Sequence, residues 1–463
     1  MLSRRLILLS LDWTRPKDPP LSLGHASILA NLVKKGVNVA SMEYSVNSPT
    51  YTWTQVVEDM EKTLKSFGKN LANTDIGIGA FIWNENSVQN ITESLKQRGF
   101  PGRVILGGPQ VSYSSPGIEH EYPYADVFIR GYAEDVMFKL MTSEENKPIK
   151  GVHYKGEPDL AWRSQVDLDN LTSPYLSGLI KPQPFLRWET QRGCPFMCSF
   201  CQHRESGDHL KRRNLLPKRV EEEIDFFCEN NVHDLAVLDP TFNSGPFYLD
   251  VLRRFVRNKY RGKIALQSRF EMVKEPYLDL CEQLNETGLV QLEFGLQTIH
   301  SNEAKAVRRG NPLERIKRSI IDINSRNLLY EVSIIFGLPN QTLESFKQTV
   351  QFCLVHKVPV IKAFPLMLLR GTELEEKKEE WDLIESPVSA GDLIDRVQDG
   401  IPHVVASSSF TVDDWSRMAE IANNLARTEG NHPASVDELL NCRFSQENQT
   451  GNNCIARIQE YHL

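Results

Sequence analysis

One stretch of the sequence decides the fold: Glu189-Thr-Gln-Arg-Gly-Cys194-Pro-Phe-Met-Cys198-Ser-Phe-Cys201-Gln-His203. Its three cysteines are spaced by four and by three residues, and they follow the apolar run Pro184–Trp188. Three thiolates are one fewer than the four that normally hold a 4Fe–4S cluster, so one iron would stay open to a ligand that is not protein. The alternative is a zinc site completed by His203, because three cysteines and one histidine suit tetrahedral zinc.

The spacing of Cys194, Cys198 and Cys201 resembles the cysteine motif of the radical S-adenosylmethionine (SAM) enzymes, and Phe200 also belongs to that pattern. The resemblance implies that the three cysteines hold a 4Fe–4S cluster whose fourth iron is chelated by the amino and carboxylate groups of SAM. Electron transfer into the sulfonium would then yield a 5′-deoxyadenosyl radical. Structural zinc usually takes two paired knuckles, whereas this sequence has one uneven cluster, which favours the iron–sulfur interpretation.

The composition predicts a soluble protein with two or three domains. The chain has 463 residues, 40% hydrophobic and 24% charged, and this is too long for one ordinary core. A formal net charge of −7 argues against a nucleic-acid partner, which would require clustered basic residues. The apolar opening Met1–Leu11 is too short for a signal peptide and is interpreted as a buried strand. No run is long enough to span a membrane.

The remaining cysteines indicate a reducing compartment. They are scattered singly, with no paired spacing, at Cys228, Cys281, Cys353, Cys442 and Cys454. This is not a disulfide framework, and an oxygen-sensitive cluster would need the same compartment. The protein is therefore expected in the cytoplasm.

Alternating strands and helices predict an N-terminal domain over residues 1–145. The expected strands are Leu6–Leu11, Val37–Met42, Ile76–Trp83, Arg103–Gly108 and Ala125–Gly131. Apolar residues at helical spacing predict helices at Leu23–Val33, Val56–Phe67 and Val88–Arg98. This alternation is typical of an α/β fold with a Rossmann-like, doubly wound parallel sheet.

This domain resembles the cobalamin-binding domain that precedes many radical SAM enzymes. The likeness is carried by Pro19-Pro-Leu-Ser-Leu-Gly24, Gly107-Gly108, the Asp126 strand and Gly131-Tyr-Ala-Glu134. It implies that the cofactor is bound by Leu23, Gly24, Gly107, Gly108, Gly131 and Glu134. Glycines at strand ends would let a flat macrocycle approach the backbone closely.

The same domain departs from the best-known form of that family. Where the family has a loop with a histidine that ligates cobalt, this sequence has Asp12-Trp-Thr-Arg-Pro16. Cobalamin is therefore expected to bind without a protein histidine on cobalt. The alternative is a fold that has kept no cofactor, whose glycines form simple turns.

A second domain is predicted over residues 185–375, after a polar linker at 146–184. Its expected strands are Phe185–Glu189, Leu235–Asp239, Lys263–Ser268, Val290–Gly295, Tyr330–Phe336 and Val358–Phe364, with helices between them, such as Val220–Asn230 and Tyr277–Thr287. Six units are fewer than the eight of a full barrel, and they match the partial (β/α)6 barrel that the resemblance to radical SAM enzymes implies. Residues 376–463 are charged and are predicted to be mostly helical.

The resemblance also implies SAM-binding residues at the carboxyl ends of these strands, where chemistry collects in parallel barrels. They are Asp239 and Thr241, Ser268 and Arg269, Glu293 and Gln297, and Ile335 and Phe336. Asp239 could instead simply end its strand, and Arg269 could pair with a surface carboxylate. Glu293 stands among apolar residues, and a buried carboxylate there would need a partner such as a ribose hydroxyl.

The sequence leaves three functions open. The leading hypothesis, implied by the resemblance, is cobalamin-assisted methyl transfer to an unactivated centre of a small molecule or peptide. The second is a radical rearrangement, cyclisation or oxidation without methyl transfer. The third is a non-enzymatic iron–sulfur or zinc scaffold. Either enzyme would need an external electron donor such as flavodoxin or ferredoxin.

Overall fold

The computed structural model describes residues 4–68, 71–143, 147–203, 212–389, 393 and 400–442. Parts of the predicted C-terminal helical region, at 390–392, 394–399 and 443–463, lie outside the described residues. Within the described ranges, no helix is long and apolar enough to cross a membrane.

The N-terminal part of the chain forms a six-stranded sheet with the order β2-β1-β3-β4-β5-β6. Its strands are β1 (Arg5–Asp12), β2 (Val39–Ser45), β3 (Thr74–Gly79), β4 (Val104–Gly107), β5 (Val127–Ile129) and β6 (Val152–Tyr154). Its helices are α1 (Leu23–Lys34), α2 (Trp53–Ser66), α3 (Glu85–Gln97), α4 (Pro109–Ser112) and α5 (Glu134–Thr142). The first five strands are parallel, and β6 joins antiparallel to β5.

The two faces of this sheet are covered by different helices, as in a doubly wound fold. Ile7, Leu9 and Leu11 of β1 pack in one apolar cluster with α2 and α3. Leu6 and Leu8 face the opposite cluster, which contains α1 and α5. Alternate burial on both faces explains why β1 is a nearly continuous apolar run. The predicted doubly wound α/β fold is confirmed.

Strand β6 lies inside the segment that was predicted to be a linker. It has three residues, Val152, His153 and Tyr154, which is too short for a recognisable alternation of polar and apolar residues. The ring of His153 stacks on Phe128 of the neighbouring strand, with 5.7 Å between ring centroids. Tertiary pairing therefore makes this segment an edge strand.

The second part of the chain forms a parallel six-stranded sheet with the order β14-β13-β12-β11-β10-β7. The strands in chain order are β7 (Phe185–Trp188), β8 (Gln191–Arg192), β9 (Arg213–Asn214), β10 (Asp234–Val237), β11 (Lys263–Ser268), β12 (Leu289–Gln297), β13 (Leu329–Phe336) and β14 (Val360–Pro365), of which β8 and β9 form a separate antiparallel pair. The helices are α6 (Pro217–Glu229), α7 (Tyr248–Arg257), α8 (Glu275–Asn285), α9 (Ser301–Ala306), α10 (Leu313–Ser325) and α11 (Leu343–Val355). The predicted partial barrel of six parallel strands is confirmed.

The inner face of this barrel is polar. Along β12 the residues alternate, with Val290, Leu292, Phe294 and Leu296 fully buried in the apolar core. The residues between them, Gln291, Glu293, Gly295 and Gln297, are only partly buried. The interior of a closed eight-stranded barrel is usually filled by bulky apolar residues. A polar inner face instead suits a cavity that receives a ligand.

The C-terminal region differs from the prediction because it contains a β-hairpin. The described elements are α12 (Glu373–Glu376), β15 (Ile384–Pro387), β16 (Pro402–Ala406), α13 (Val412–Arg427) and α14 (Val436–Asn441). Strand β16 is attached to the barrel, since the backbone N–H of Val404 donates to the carbonyl of Leu366 at 2.9 Å. Burial of Val404 at this junction explains a strand in a region whose charge pattern suggested helix.

Candidate active site

The three cysteines of the motif line one cavity at the mouth of the barrel. The cavity has a volume of about 280 Å³, and Cys194, Cys198 and Cys201 all border it. The loop that carries them is held from two sides. The N–H of Ser199 donates to the carbonyl of Val307 at 3.0 Å, and the carbonyl of Ser199 accepts from the N–H of Leu374 at 3.0 Å.

Each thiol has a polar neighbour. Cys194 Sγ lies 3.6 Å from Thr241 Oγ1, and the backbone N–H of His203 donates to Cys201 Sγ at 3.4 Å. Nη1 of Arg309 donates to Cys198 Sγ at 3.6 Å. Burial raises the pKa of the Cys201 thiol to about 11, so the protein alone holds it neutral, and metal binding would be needed to deprotonate it.

The three thiols and His203 border the same cavity. Among the described residues, no three His, Cys, Asp or Glu side chains lie close enough together to hold one metal ion. The thiols nevertheless share one cavity, as ligands to separate irons of a 4Fe–4S cluster would. The donor set of three cysteines fits an iron–sulfur cluster with one open iron, and His203 at the same cavity keeps the zinc alternative open.

Several predicted SAM-binding residues border the same cavity: Phe200, Thr241, Ser268, Arg269, Glu293 and Gln297. Arg269 is the most constrained of them. Its Nε donates to Glu271 at 2.5 Å, its Nη2 donates to the carbonyl of Gly310 at 3.0 Å, and its guanidinium lies 3.8 Å from the ring centre of Phe196. Arg269 therefore lines the cavity and also pairs with a carboxylate.

Gln297 has a backbone conformation that is unusual for a residue with a side chain. Its φ is +67°, its pairing with β13 follows an irregularity after Gly295, and its side-chain Oε1 is buried without a protein partner. A Cβ at Gly295 would lie 2.5 Å from Gln297 Nε2, so a larger residue there would displace the end of the Gln297 side chain. A strained residue with an unused acceptor at a cavity wall indicates a ligand contact.

Glu293 lies further from the carboxyl end of β12 than Gln297 does, and it interacts with a second acid, Glu331. Burial raises its pKa to about 7, and the nearby carboxylate of Glu331 adds to the increase, while Lys362, Lys263 and Arg15 oppose it. Glu331 forms an ion pair with Lys362 and accepts from Gln291 Nε2 at 2.8 Å. Glu293 therefore lies in a mixed-charge environment within the cavity.

Asp239 lies elsewhere than predicted. It does not border the cavity; it is fully buried behind the cysteine loop. Its carboxylate accepts from the N–H and the hydroxyl of Thr190, at 2.7 and 2.5 Å, and from the N–H of Gln191 at 3.1 Å. Burial raises its pKa to about 7. Asp239 therefore supports the start of the cysteine loop, and Thr241 alone of this pair faces the cavity.

Ile335 and Phe336 also lie outside the cavity lining. Phe336 is fully buried on the outer side of β13, where it packs against Phe346 and Trp415. Ile335 is partly buried, and its carbonyl accepts from Gln341 Nε2 at 3.1 Å. The residues of β13 that border the cavity are Glu331 and Ser333. Ile335 lies on the same face of the strand, two positions beyond Ser333, whereas Phe336 points to the other face because side chains alternate along a strand.

Sequence reasoning missed Arg309, Glu331 and Ser333 as cavity residues. The alternation along β13 was a usable signal for the last two. Arg309 belongs to Arg308-Arg309-Gly310, a surface-like run after α9 with no pattern to separate it from solvent-exposed arginines.

In the N-terminal part, Gly107, Gly108 and Gly131 stand at the ends of β4 and β5, as predicted from the sequence. Gly108 has φ of +88°, and a Cβ there would lie 2.6 Å from the carbonyl oxygen of Ala80. Gly131 has φ of +85°, with the carbonyl oxygen of Ser164 at the same distance. Both glycines are therefore required by local backbone packing, whether or not a ligand also approaches them.

The predicted residues Leu23, Gly24 and Glu134 occupy different environments. Leu23 packs in the apolar core that continues into the barrel, whereas Gly24 faces open space. Glu134 is buried and links the N-terminal part to β8, just before the cysteine loop, because it accepts from Ser27 Oγ at 3.0 Å and from Arg192 Nη1 at 2.7 Å. Arg192 pairs with Glu189 as well. Leu23 and Glu134 therefore have structural roles between the two parts of the chain.

The loop after β1 reaches the barrel. Asp18 accepts from Arg187 of β7 at 2.7 and 2.8 Å, and the charge of Arg15 acts on Glu293. Trp13 is 36% exposed. His25, on the following helix, is buried and bonds to Ser41 Oγ at 2.7 Å.

Comparisons with known proteins agree with this geometry. Residues 188–353 match the family model described as the Radical SAM superfamily. The chain is 22% identical over 299 residues to the cobalamin-dependent radical SAM methyltransferase TokK of Streptomyces tokunonensis, which covers 59% of this chain and 44% of TokK. This chain thus spans less than half of the length of that relative.

Two solved structures are similar over most of the chain. One is the radical S-adenosylmethionine methyltransferase TsrM of Kitasatospora setae with tryptophan substrate and a SAM analogue bound, with a TM-score of 0.71, 13% identity and coverage of 99% of this chain and 96% of TsrM. The other is the cobalamin-dependent radical enzyme OxsB with aqua-cobalamin and SAM bound, with a TM-score of 0.66, 14% identity and coverage of 95% and 70%. At these identities the similarity concerns the fold.

Proposed function

Since residues 188–353 form a radical SAM domain, we propose that this protein is a radical SAM enzyme that transfers a methyl group with the help of cobalamin. One observation carries the proposal. Cys194, Cys198 and Cys201 share a cavity with polar residues from β11, β12 and β13, and among the described residues no fourth cysteine borders that cavity. This leaves room for SAM on the open iron.

The residues at this site have different proposed roles. The three cysteines would hold the cluster, and Arg269 and Arg309 bring positive charge to a cavity that must accept thiolates and the SAM carboxylate. Gln297 offers a buried acceptor. Glu293, with its raised pKa, can bond a ribose hydroxyl in either protonation state. When bound, the cluster supplies the electron that cleaves SAM, and cobalamin supplies the methyl group for an unactivated centre.

The N-terminal sheet would hold cobalamin at the carboxyl ends of its parallel strands, where such sheets bind their ligands. The loop after β1 supports this placement, because it extends from that edge towards the barrel cavity. The folds of TsrM and OxsB support it too.

This function requires a substrate, an electron donor and a reducing compartment. The substrate is a small molecule or a peptide, and an external donor such as flavodoxin or ferredoxin reduces the cluster. We place the protein in the cytoplasm, because the cysteines among its described residues are free and a reducing compartment preserves both them and the cluster.

Anaerobic reconstitution in the presence of cobalamin tests this function. We expect about four irons per chain, a cobalamin absorbance spectrum, and release of 5′-deoxyadenosine from SAM under reduction. S-Adenosylhomocysteine as a second product separates methyl transfer from a rearrangement. A variant with all three cysteines changed to Ala should lose iron and SAM cleavage, whereas Cys228→Ala on α6 should retain both. Stoichiometric zinc without iron would refute the proposal.

A further inference from the structure

The segment after α9 brings one arginine to the cysteine loop. Arg309 points Nη1 at Cys198 Sγ, at 3.6 Å, and its Nη2 donates to the carbonyl oxygen of Gly295. Its Nε is buried and has no partner in the protein. A guanidinium placed in this way loses hydration, so a nearby negative charge is needed to compensate.

The position of Arg309 is set by the backbone around it. The carbonyl of Val307 accepts from the N–H of Ser199, which directly follows Cys198. Asn311 Nδ2 donates to the carbonyls of Leu296 and Thr298, at 2.8 and 2.7 Å. A Cβ at Gly295 would lie 3.3 Å from Arg309 Nη2. Arg309 is therefore hydrogen-bonded to both the cysteine loop and β12.

We propose that Arg309 is a positioning residue that donates a charge-assisted hydrogen bond to the Cys198 thiolate and thereby raises the reduction potential of the 4Fe–4S cluster. Hydrogen bonds to cluster sulfurs are among the factors that set these potentials. Reduction adds one negative charge, which a fixed cationic donor stabilises more strongly than the oxidised state. This inference rests on the proposed function only in requiring that the cluster binds.

The neighbouring arginines do not share this role. Arg269 is directed at Glu271 and Phe196. Arg308 points away from the cavity and pairs with Glu373 at the surface. Arg308 therefore offers a matched control, because its replacement removes the same charge one residue away without touching a cysteine.

A redox titration of the reconstituted cluster tests the proposal, with the reduced cluster followed by electron paramagnetic resonance and dithionite as reductant. SAM, cobalamin and substrate are left out. In Arg309→Gln we expect the ratio of reduced to oxidised cluster at a fixed potential to fall about tenfold, equivalent to about 59 mV for a one-electron couple. In Arg309→Lys, which keeps the charge, the ratio of reduced to oxidised cluster should fall less. In Arg308→Gln it should equal the wild-type ratio.

The outcomes separate this proposal from the function. If the wild type binds no iron–sulfur cluster, the proposed function fails. If all the variants bind about four irons and Arg309→Gln has the wild-type potential, the role of Arg309 alone is refuted. If Arg309→Gln does not bind iron, the cluster reduction potential of Arg309→Lys is compared with that of the wild type. Equal reduction potentials in these two proteins would refute the proposal.

Discussion

Glu293 shows how one residue of the cavity responds to its surroundings. It lies on the inner face of β12, near Glu331 and within reach of the charges of Lys362 and Arg15. Ionisation of the buried carboxylate without a ligand carries a desolvation free energy. A ligand that donates hydrogen bonds to the carboxylate would offset part of that free energy.

At this residue we predict that Glu293→Gln raises the stability of the apoprotein above neutral pH. The pKa of Glu293 is raised from 4.5 to about 7 in the folded protein, so the folded state binds the extra proton between these values. Wild-type stability should therefore fall, relative to the variant, as pH rises from about 4.5 to about 7. We expect a difference of about 1 kcal/mol at pH 8, measured by urea unfolding across pH.

The same position also distinguishes ligand binding from folding. Glu293→Ala should weaken SAM binding about tenfold while iron content stays unchanged, as measured by equilibrium dialysis of the reconstituted protein. Unchanged SAM affinity would show that Glu293 does not contact SAM.

At the scale of the element, β10 and the cysteine loop depend on one buried carboxylate. Asp239 accepts three hydrogen bonds from Thr190 and Gln191, and Gln191 Nε2 donates to the carbonyl of Thr241 at 2.8 Å. The turn after β10 and the hairpin strand β8 are thus joined just before the first cysteine.

We expect Asp239→Ala to destabilise the protein by about 2–4 kcal/mol, because it leaves three buried donors without an acceptor. Asp239→Asn keeps one acceptor oxygen and should lower the free energy of unfolding by less than Asp239→Ala does. Urea unfolding measures both, and Asp250→Ala on α7, whose partner is the exposed Arg253, serves as the control with a change below about 0.5 kcal/mol. Equal stability of Asp239→Ala and the control would contradict this role.

At the scale of the whole molecule, ion pairs connect the N-terminal part of the chain to the part that contains the barrel. Arg192 binds Glu134 of the first part and Glu189 of the second. Arg370 binds Glu85 and Glu121 at a second point. These contacts join residues that follow the strands of the N-terminal sheet to the segments around the barrel.

We predict that Glu134→Ala destabilises the protein by about 2–3 kcal/mol, since Arg192 keeps Glu189 as a partner. Iron content should stay at the wild-type level. Glu61→Ala, which removes a surface pair with Arg98, is the matched control. A loss of cobalamin affinity with unchanged stability would instead support the original prediction that Glu134 binds the cofactor.

Cobalamin ligation can also be tested on the assembled molecule. The loop after β1 contains no histidine, and His25 is buried against Ser41. We therefore expect Co(II)-cobalamin in the reconstituted protein to show no nitrogen superhyperfine splitting from an axial imidazole, by electron paramagnetic resonance. Trp13, Arg15 or water would face the lower side of cobalt. Observed nitrogen splitting would contradict this expectation, and failure to retain cobalamin would indicate a domain without its cofactor.

Sequence patterns alone predicted the two largely parallel sheets and the position of the cysteine motif. Both are local properties: the cysteines lie in one loop, and the continuous apolar run of β1 and the apolar–polar alternation of β12 follow from which faces of each strand are buried. Which side chains meet at the cavity depends on long-range packing of the chain. Arg309 reaches Cys198 across 111 positions of sequence, and Asp239 turns towards Thr190 across 49. Such contacts depend on how distant strands pack together, which local sequence patterns do not encode.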